Sequence, residues 1–280
     1  MGQSHAPPMD EFFPGVEPRF RQILAVQRRY QEKIRADLPV EPMERLGGNY
    51  ALECEKLPLS ALRFREVLLH LAPVIAEMTG IDYAPLLSRL DDQVLEQMFN
   101  SLADCPEQDV TGALELTVRE VRLDKISGIK PEVLVPLLQA AIVPFYTSFA
   151  SQQNQKLFER WQMGWCPVCG QFPVNGSNRP GDGRRVLGCW LCETRWIFPR
   201  LVCPVCSNHD SGKIHTLTLA EDKNHRVQLC SECNHYLKIT DCQGRPEDCD
   251  LMLENLSTMH LDVLAQQDGF RPASGHSNAY

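Results

Sequence analysis

The chain has 280 residues, of which 43% are hydrophobic and 23% charged, and its 28 basic against 36 acidic residues give a formal net charge of −8. This composition is typical of a folded globular protein and excludes a disordered or fibrous chain. The acidic balance argues against general binding to nucleic acids or to anionic membranes, because both require an excess of lysine and arginine.

Helical periodicity dominates the first 160 or so residues, where apolar side chains recur at steps of three and four positions. The uncharged stretch 133–155 contains two prolines and is apolar over too short a length for a membrane span, so we expect a buried core helix and no stable membrane insertion. The predicted helices cover about 16–38, 59–79, 91–103 and 112–123, followed by one from Pro131 to about Trp161 with a kink expected at Pro144.

From Gly164 onward, short β-prone runs separated by turn-forming residues replace the helical pattern. Asn175-Gly176 and the run 180–183 are predicted to be turns. A last helix is predicted over about 246–268, with acidic residues in its first turn. None of the β-prone runs has an apolar partner long enough for an ordinary core, so another element must hold them. These runs are 186–188, 194–198, 214–219, 226–229 and 236–240.

The 12 cysteines are unevenly placed, since only Cys54 and Cys105 precede residue 166. The N-terminal residues show no apolar run after a basic start, so we expect no secretory signal and a cytoplasmic protein. Thiols stay reduced in the cytoplasm, and paired cysteines there favour metal or redox chemistry over structural disulfides.

Eight of the cysteines form four C-x-x-C pairs, separated by intervals of 19, 10 and 23 residues. A gap of two residues lets both sulfurs turn toward one ion, and the longer intervals let a hairpin bring two pairs together. Four thiolates in a tetrahedron suit Zn²⁺ or a single iron ion. Sequential partnering of the pairs is preferred, with interleaved partnering as the alternative. The predicted metal ligands are Cys166, Cys169, Cys189, Cys192, Cys203, Cys206, Cys230 and Cys233.

The sequence therefore predicts an α+β protein with two domains: an all-helical domain over 1–163 and a metal-binding domain over 164–280. The second domain contains two tetracysteine modules, at about 164–201 and 202–243, and the C-terminal helix. Four thiolates around each ion leave no position open for water, and the sequence carries no phosphate-binding loop, dinucleotide fingerprint or nucleophile elbow. An enzyme is therefore not expected.

Four cysteines are left without an assigned role. We expect Cys54 and Cys105 to be small buried apolar residues. Cys242 and Cys249 are too far apart for a metal-binding pair and are either spare thiols or core residues of the last helix. His235 lies two residues beyond Cys233 and could substitute as a ligand, but four thiolates already complete that site.

An arginine cluster lies between Arg179 and Arg200, where five arginines face only two acidic residues. One interpretation is that these arginines offset the thiolate charge nearby and remain solvated. The other is a patch that docks an acidic or phosphorylated surface, with aromatic residues as anchors. The candidate partner-binding residues are Arg184, Arg185, Arg195, Trp196 and Arg200, with Trp190 and Phe198 as further anchors.

Between about Phe145 and Ala273 a series of short motifs follows in a fixed order. The motifs are Cys166-Pro-Val-Cys169-Gly170, Cys189-x-x-Cys192-Glu193-Thr194-x-Trp196, Arg200-x-x-Cys203-x-x-Cys206, Ser211-Gly212-Lys213-Ile214-His215, Cys230-x-x-Cys233 followed by Tyr236-Leu237-Lys238, and Leu253-x-x-Leu256 followed by Gln267-Asp268-Gly269-Phe270. This series resembles the formate dehydrogenase accessory protein family, FdhE.

The resemblance implies a helical domain followed by two rubredoxin-like or zinc-ribbon modules. It also implies a cytoplasmic accessory factor, or maturation chaperone, that binds the catalytic subunit of respiratory formate dehydrogenase and assists its assembly or activation before export. Iron bound through the C-x-x-C pairs is associated with the family, and all eight cysteines of the pairs match its pattern. The choice between iron and zinc stays open, as do the formate dehydrogenase isoenzyme and a homodimer.

Two further hypotheses remain. A rubredoxin-like iron electron carrier or redox sensor, acting on the same enzyme, would use the same ligands. A nucleic-acid-binding zinc ribbon is supported only by the arginine cluster, because residues 164–280 carry 11 basic against 13 acidic groups, and nucleic acid is therefore not expected as a partner.

Overall fold

The structure is a computed structural model and describes residues 16–43, 49–54, 56–103, 110–173, 175–220, 222–242 and 249–273. Its contacts divide the chain into two compact units. The helical unit comprises Pro18–Pro42 and Leu52–Gln153. The cysteine unit comprises Met43–Ala51 and the chain from Asn154 onward, to the last described residue. The boundary between Gln153 and Asn154 lies ten residues before the one predicted from sequence, because a 3₁₀ helix at Gln155–Arg160 belongs with the strands.

The predicted helices are present with small changes at their ends. The long helix ends at Ser151, ten residues before the predicted end near Trp161. The helix predicted over 112–123 is Val110–Glu120, and a second short helix begins at Leu123. Helix α3 begins after the N-cap Ser60 and ends at Gly80, which has the left-handed φ of 70° that favours glycine at a helix end. The helices are α1 Val16–Asp37, α2 Ala51–Cys54, α3 Ala61–Thr79, α4 Ala84–Leu87, α5 Asp92–Ala103, α6 Val110–Glu120, α7 Leu123–Ser127 and α8 Pro131–Ser151.

Helix α8 is the core of the helical unit and runs through Pro144 without interruption. A proline has no N–H, so Pro144 leaves the carbonyl of Ala140 without its helical donor. The buried side chain of Gln27 on α1 supplies the missing donor, with Nε2 at 2.9 Å from that carbonyl oxygen. A tertiary hydrogen bond thus replaces the helical one.

By length and composition alone, α8 could cross a membrane, and it is the one helix among the described ranges that meets this test. Of its most apolar window, 78% is buried within the protein, as in the core helix of a globular fold. The burial agrees with the core position predicted from its prolines and apolar length.

The cysteine unit contains one sheet, which has seven strands among the residues described. Its main order is β3-β2-β1-β6-β5-β4, and β7 pairs with β6 beside β1. The pairs β1–β6 and β6–β7 are parallel, and the others are antiparallel. The strands are β1 Asn175–Asn178, β2 Arg185–Gly188, β3 Arg195–Ile197, β4 Ile214–Leu217, β5 His225–Cys230, β6 His235–Asp241 and β7 Arg271–Pro272.

Strand β1 contradicts the prediction of a turn at Asn175-Gly176. These two residues begin a fully buried strand in the middle of the sheet, between β2 and β6. The Asn175 side chain donates to the carbonyl of Leu251 at 2.5 Å, so its amide is satisfied inside the protein. Turn propensity reflects local preference, and tertiary pairing on both edges overrides it here.

The two tetracysteine modules share this sheet through the β1–β6 pair, so the strands do have partners, contrary to the expectation from their sequence. Gly164, which precedes the first cysteine pair, lies directly against the backbone of Pro204 in the third pair, and a Cβ there would overlap the Pro204 carbonyl. The single predicted C-terminal helix is two short ones, α9 Leu251–Ser257 and α10 Met259–Gln267, and residues 243–248 lie outside the described part. Asp250 caps α9 by accepting from the N–H groups of Met252 and Leu253.

Candidate metal centres

The first tetracysteine group joins the first and second C-x-x-C pairs. The Sγ atoms of Cys166 and Cys192 lie 3.4 Å apart, as do those of Cys169 and Cys189, and Cys169 lies 3.6 Å from Cys192. All four residues are buried. The partnering is therefore sequential, and the interleaved alternative does not occur.

The second group joins the third and fourth pairs in the same way. The Sγ atoms of Cys203 and Cys233 are 3.6 Å apart, and those of Cys206 and Cys230 are 3.7 Å apart. Cys206 and Cys233 are partly exposed, whereas every cysteine of the first group is buried. The two centres therefore differ in their access to solvent.

All four pairs use the same turn, in which the residue after the second cysteine has a positive φ. These residues are Gly170 at 76°, Glu193 at 56°, Ser207 at 58° and Asn234 at 57°. The N–H of each donates to the carbonyl of the first cysteine of its pair, at 2.8–3.1 Å. Glycine adopts this conformation readily at position 170, whereas the other three residues adopt it although it is unfavourable for most side chains.

The donor atoms fit a tetrahedral metal ion. Sulfurs placed about 2.3 Å from one ion in a tetrahedron lie about 3.8 Å from each other. The closest sulfur–sulfur distances are 3.4–3.7 Å, and the four donor atoms of each group lie within 4.8 Å of one another. Each group could therefore hold one metal ion, and four thiolates suit both zinc and iron.

Burial and hydrogen bonding shift the thiol pKa values in opposite directions within these groups. Burial raises the pKa of Cys169 well above its ordinary value, and it raises that of Cys206 to about 11. Hydrogen bonds from Cys233 and from backbone N–H groups lower the pKa of Cys203 to about 5. Four thiolates cannot share such a space without a compensating cation, so metal binding must release protons from both groups.

Polar groups near the sulfurs contact the cysteine ligands without acting as metal ligands themselves. The Thr194 hydroxyl lies 3.0 Å from Cys192 Sγ, and the N–H of Val168 donates to Cys166 Sγ at 3.4 Å. His235 instead hydrogen-bonds the carbonyl of Cys233 through Nδ1 at 2.8 Å and is not grouped with the sulfurs. Hydrogen bonds to sulfur orient the ligands and stabilise their negative charge.

Comparison with known proteins shows which proteins this chain resembles. Residues 201–277 match the family model described as "FdhE, C-terminal domain". The chain is 28% identical over 255 residues to a protein FdhE homolog of Citrobacter koseri, an alignment that covers 88% of this chain and 74% of that relative. The crystal structure of the FdhE protein from Pseudomonas aeruginosa covers 96% of both chains with a TM-score of 0.53 at 20% identity, which shows the same fold. The chain is thus similar to FdhE proteins over most of its length, and residues 201–277 match the C-terminal domain of that family.

Other FdhE relatives match over a shorter stretch. The protein FdhE homolog of Aquifex aeolicus is 30% identical over 151 residues, which is 51% of each chain. Protein FdhE of Escherichia coli O1:K1 / APEC is 31% identical over 144 residues, or 50% of this chain and 46% of the relative. The chain thus aligns with about half the length of these two relatives. The part matched by the FdhE C-terminal domain model contains all of the second tetracysteine group.

The structure places the other four cysteines outside both groups. Cys242 and Cys249 are joined by a disulfide that links the end of β6 to the residues before α9, so they are neither spare thiols nor residues of the last helix. The side chain of Cys54 and the whole of Cys105 lie outside the described residues. Their predicted burial therefore stays a prediction.

The predicted partner-binding residues do not form one exposed patch. Trp196 is only 2% exposed and its indole N–H donates to the Met163 carbonyl at 3.0 Å, so it cannot anchor a partner. Arg195 donates to the carbonyl of Cys249 at 2.7 Å, and Arg185 is buried. Arg184 and Arg200 are exposed, and Trp190 is half-buried. A strand alternates its side chains between two faces, which divides residues that are close in sequence.

Two contacts in the cysteine unit are not predicted from the sequence. The ring of Tyr50 packs over Gly170, and the N–H of Ala51 donates to the Pro167 carbonyl at 2.9 Å, so a remote segment covers the first cysteine turn. His225 also lies between two carboxylates, 2.8 Å from Asp222 and 2.8 Å from Glu254. Local sequence patterns predict neither contact. The first joins segments that are far apart in the chain, and the three residues of the second form no recognisable motif.

Proposed function

We propose that this protein is a cytoplasmic accessory factor that binds the catalytic subunit of formate dehydrogenase and assists its assembly or activation before export. The observation that supports this most is the presence of both complete tetracysteine groups in a chain that shares the FdhE fold over nearly its whole length. A non-catalytic role is consistent with the donor sets, because four sulfurs around each ion leave no open position for substrate or water.

Each group would hold one zinc or iron ion through its four cysteines. The bound ion would supply the positive charge that lets four buried sulfurs ionise, and with it a cross-link between two turns. The protein's own residues have two roles. The four backbone turns orient the sulfurs, and burial of the first group excludes water from it. The centres would thus stabilise the surface that the partner meets.

Co-purification with the catalytic subunit of formate dehydrogenase tests the proposal. The tagged chain, made with its metals, should retain the subunit through washing, and a Cys206→Ser variant should retain less because it loses one ligand of the second group. A Leu116→Ser variant is the matched control, since this exposed residue belongs to the helical unit, which contains neither group. Failure of both the metallated and the metal-free protein to hold the subunit would refute the proposal.

A rubredoxin-like electron carrier or redox sensor is the second candidate, and the partial exposure of Cys206 and Cys233 favours it. Exposed ligands shorten the path for an electron to a docked protein. Protein purified from its native host should then contain iron and show a visible thiolate-to-iron absorption band that reduction bleaches. A colourless zinc protein would exclude this function and leave the accessory role unaffected.

A further inference from the structure

A cleft of about 460 Å³ opens in the cysteine unit, away from the sulfur groups. Its walls are the 3₁₀ helix with the residues after it, the turn between β1 and β2, and the segment that follows β3. The buried rings of Trp161 and Phe198 supply an apolar wall, and three arginines (Arg184, Arg185 and Arg200) supply positive charge. Ligand sites commonly combine such a volume with apolar walls and a few charged groups.

Arg185 is a buried cation whose hydrogen bonds go to neutral groups. Its residue is 5% exposed, and its guanidinium donates to Gln228 Oε1 at 2.8 Å and to Asn178 Oδ1 at 3.3 Å. Burial and the nearby charges of Arg226 and Arg200 lower the pKa of Arg185 to about 10, and the Asp241 carboxylate offsets this only in part. A buried charge is ordinarily balanced by an opposite one, so this environment favours an anion in the cleft.

Arg200 adds a guanidinium that is free to bind. It is exposed, and within the described chain it has no hydrogen bond or ion pair. Arg184 shares the Asp182 carboxylate with Arg179, and Glu159 is the other acidic residue lining the cleft. Three guanidinium groups against two carboxylates leave the lining positive in an otherwise acidic protein.

Exposed apolar residues adjoin the cleft in sequence. Leu201 follows Arg200 and is 64% exposed, and Met163 follows the lining residue Gln162 and is 40% exposed. Large apolar side chains beside arginines are typical of protein-binding sites rather than of sites for small ions. A free oxyanion would contact the guanidinium groups alone and leave most of the cleft empty.

We propose that this cleft binds an extended acidic segment of a partner protein, with a carboxylate at Arg200 and an apolar side chain near Leu201. The partner would be the formate dehydrogenase subunit of the proposed function. The inference rests on that proposal for the identity of the partner, whereas the chemistry of the binding site is argued from the cleft alone. Arg185 in the cleft wall adds positive charge that favours the carboxylate, and the aromatic wall excludes water from the contact.

Binding of designed peptides tests the chemistry without the partner. The probe is a labelled nonapeptide that carries three glutamates and two leucines, measured by fluorescence anisotropy at low salt with the metal-loaded protein. The control peptide carries glutamine in place of each glutamate and should bind about tenfold more weakly, since charge-assisted hydrogen bonds are lost. Equal binding of the two peptides, or no binding of the acidic one, would overturn the proposal.

Matched variants locate the binding. Arg200→Gln should weaken binding of the acidic peptide about tenfold, and Leu201→Ser should weaken it about threefold. Arg271→Gln, an exposed arginine on β7 outside the lining, should change it less than twofold. An unchanged affinity in Arg200→Gln would overturn the proposal. Inorganic phosphate alone, titrated by calorimetry, is the other occupant tested, and phosphate binding as tight as the peptide would overturn the assignment to a protein segment.

The co-purification assay separates this inference from the proposed function. If the wild type holds the formate dehydrogenase subunit and the Arg200→Gln and Leu201→Ser variants hold it equally well, the cleft is not the contact and the accessory role stands. If the wild type does not hold the subunit while the peptide results are as expected, the accessory role fails and the acidic-segment site stands.

Discussion

Each of the four cysteine turns requires one residue with a positive φ, and the conformational cost depends on which residue occupies that position. Gly170 adopts this conformation freely, whereas Glu193, Ser207 and Asn234 adopt it against the steric preference of a side chain. Asparagine tolerates the left-handed region better than serine or glutamate does. The same backbone turn is therefore built at different cost in the two groups.

Substitution at these positions should change stability in opposite directions. Ser207→Gly should raise the free energy of unfolding by up to about 1 kcal/mol, because Ser207 is exposed and its φ of 58° suits glycine. Gly170→Ala should lower it by about 1–2 kcal/mol, since the new Cβ meets the Tyr50 ring at 3.1 Å as well as an unfavourable φ. Urea unfolding of metal-loaded protein measures both, and a stabilising Gly170→Ala would contradict the account.

At the scale of elements, His225 links the beginning of β5 to helix α9 through Glu254, and to the residues just before β5 through Asp222. Burial opposes protonation, but Glu254 and Asp222 together raise the pKa of His225 above its ordinary value. Burial lowers the pKa of the neighbouring His260, whose charge would repel that of His225. The ion pairs therefore exist when His225 is protonated and His260 neutral.

This link should make stability depend on pH. A raised folded-state pKa contributes stability that is present below the unfolded value, near 6.5, and is lost as the pH rises through the folded value. Between pH 6 and pH 8 the wild type should lose up to about 1 kcal/mol more than a His225→Gln variant. Urea unfolding at both pH values measures the difference, with His209→Gln, an exposed histidine, as the control. Equal pH dependence in the wild type and His225→Gln would contradict the link.

Helix α8 tolerates Pro144 because α1 provides the donor that the proline lacks. Gln27→Ala should lower the free energy of unfolding by about 1–3 kcal/mol, since it leaves the buried Ala140 carbonyl unsatisfied. Gln22→Ala, at an exposed position on the same helix, should change it by less than about 0.5 kcal/mol. Chemical denaturation followed by circular dichroism measures both, and equal effects of the two variants would show that the Gln27 hydrogen bond contributes nothing.

At the scale of the molecule, one sheet joins the two tetracysteine groups, so they should lose stability together. Gly164→Ala should destabilise the cysteine unit by about 3 kcal/mol, because the new Cβ overlaps the Pro204 carbonyl and rigid backbone cannot move aside cheaply. Gly212→Ala, where the Cβ meets only the flexible Asp210 side chain, is the matched control with little effect. Chelator-induced metal release should accelerate from both groups in Gly164→Ala. Faster release from one group alone would show that the modules are independent.

Local sequence patterns predict most of the helices, the cysteine pairs and the family resemblance. Each depends on local spacing: a helix on steps of three and four residues, a metal-binding turn on a gap of two. For the same reason the sequence predicts the ends of α1, α3 and α5 to within two residues, and it predicts the turn at 180–183. The grouping of the eight sulfurs was the preferred one of two that the spacing allowed.

The positions of the polar and charged residues in the fold depend on tertiary contacts. Strand β1 is polar and begins with Asn175-Gly176, yet it is buried because β2 and β6 satisfy its backbone on both edges. Trp196 is buried and Arg200 is exposed, although only three residues lie between them. The closeness of Tyr50 to Gly170 likewise depends on segments far apart in the chain. Local sequence cannot specify such contacts, because their energy comes from packing and pairing between elements that meet only in the folded protein.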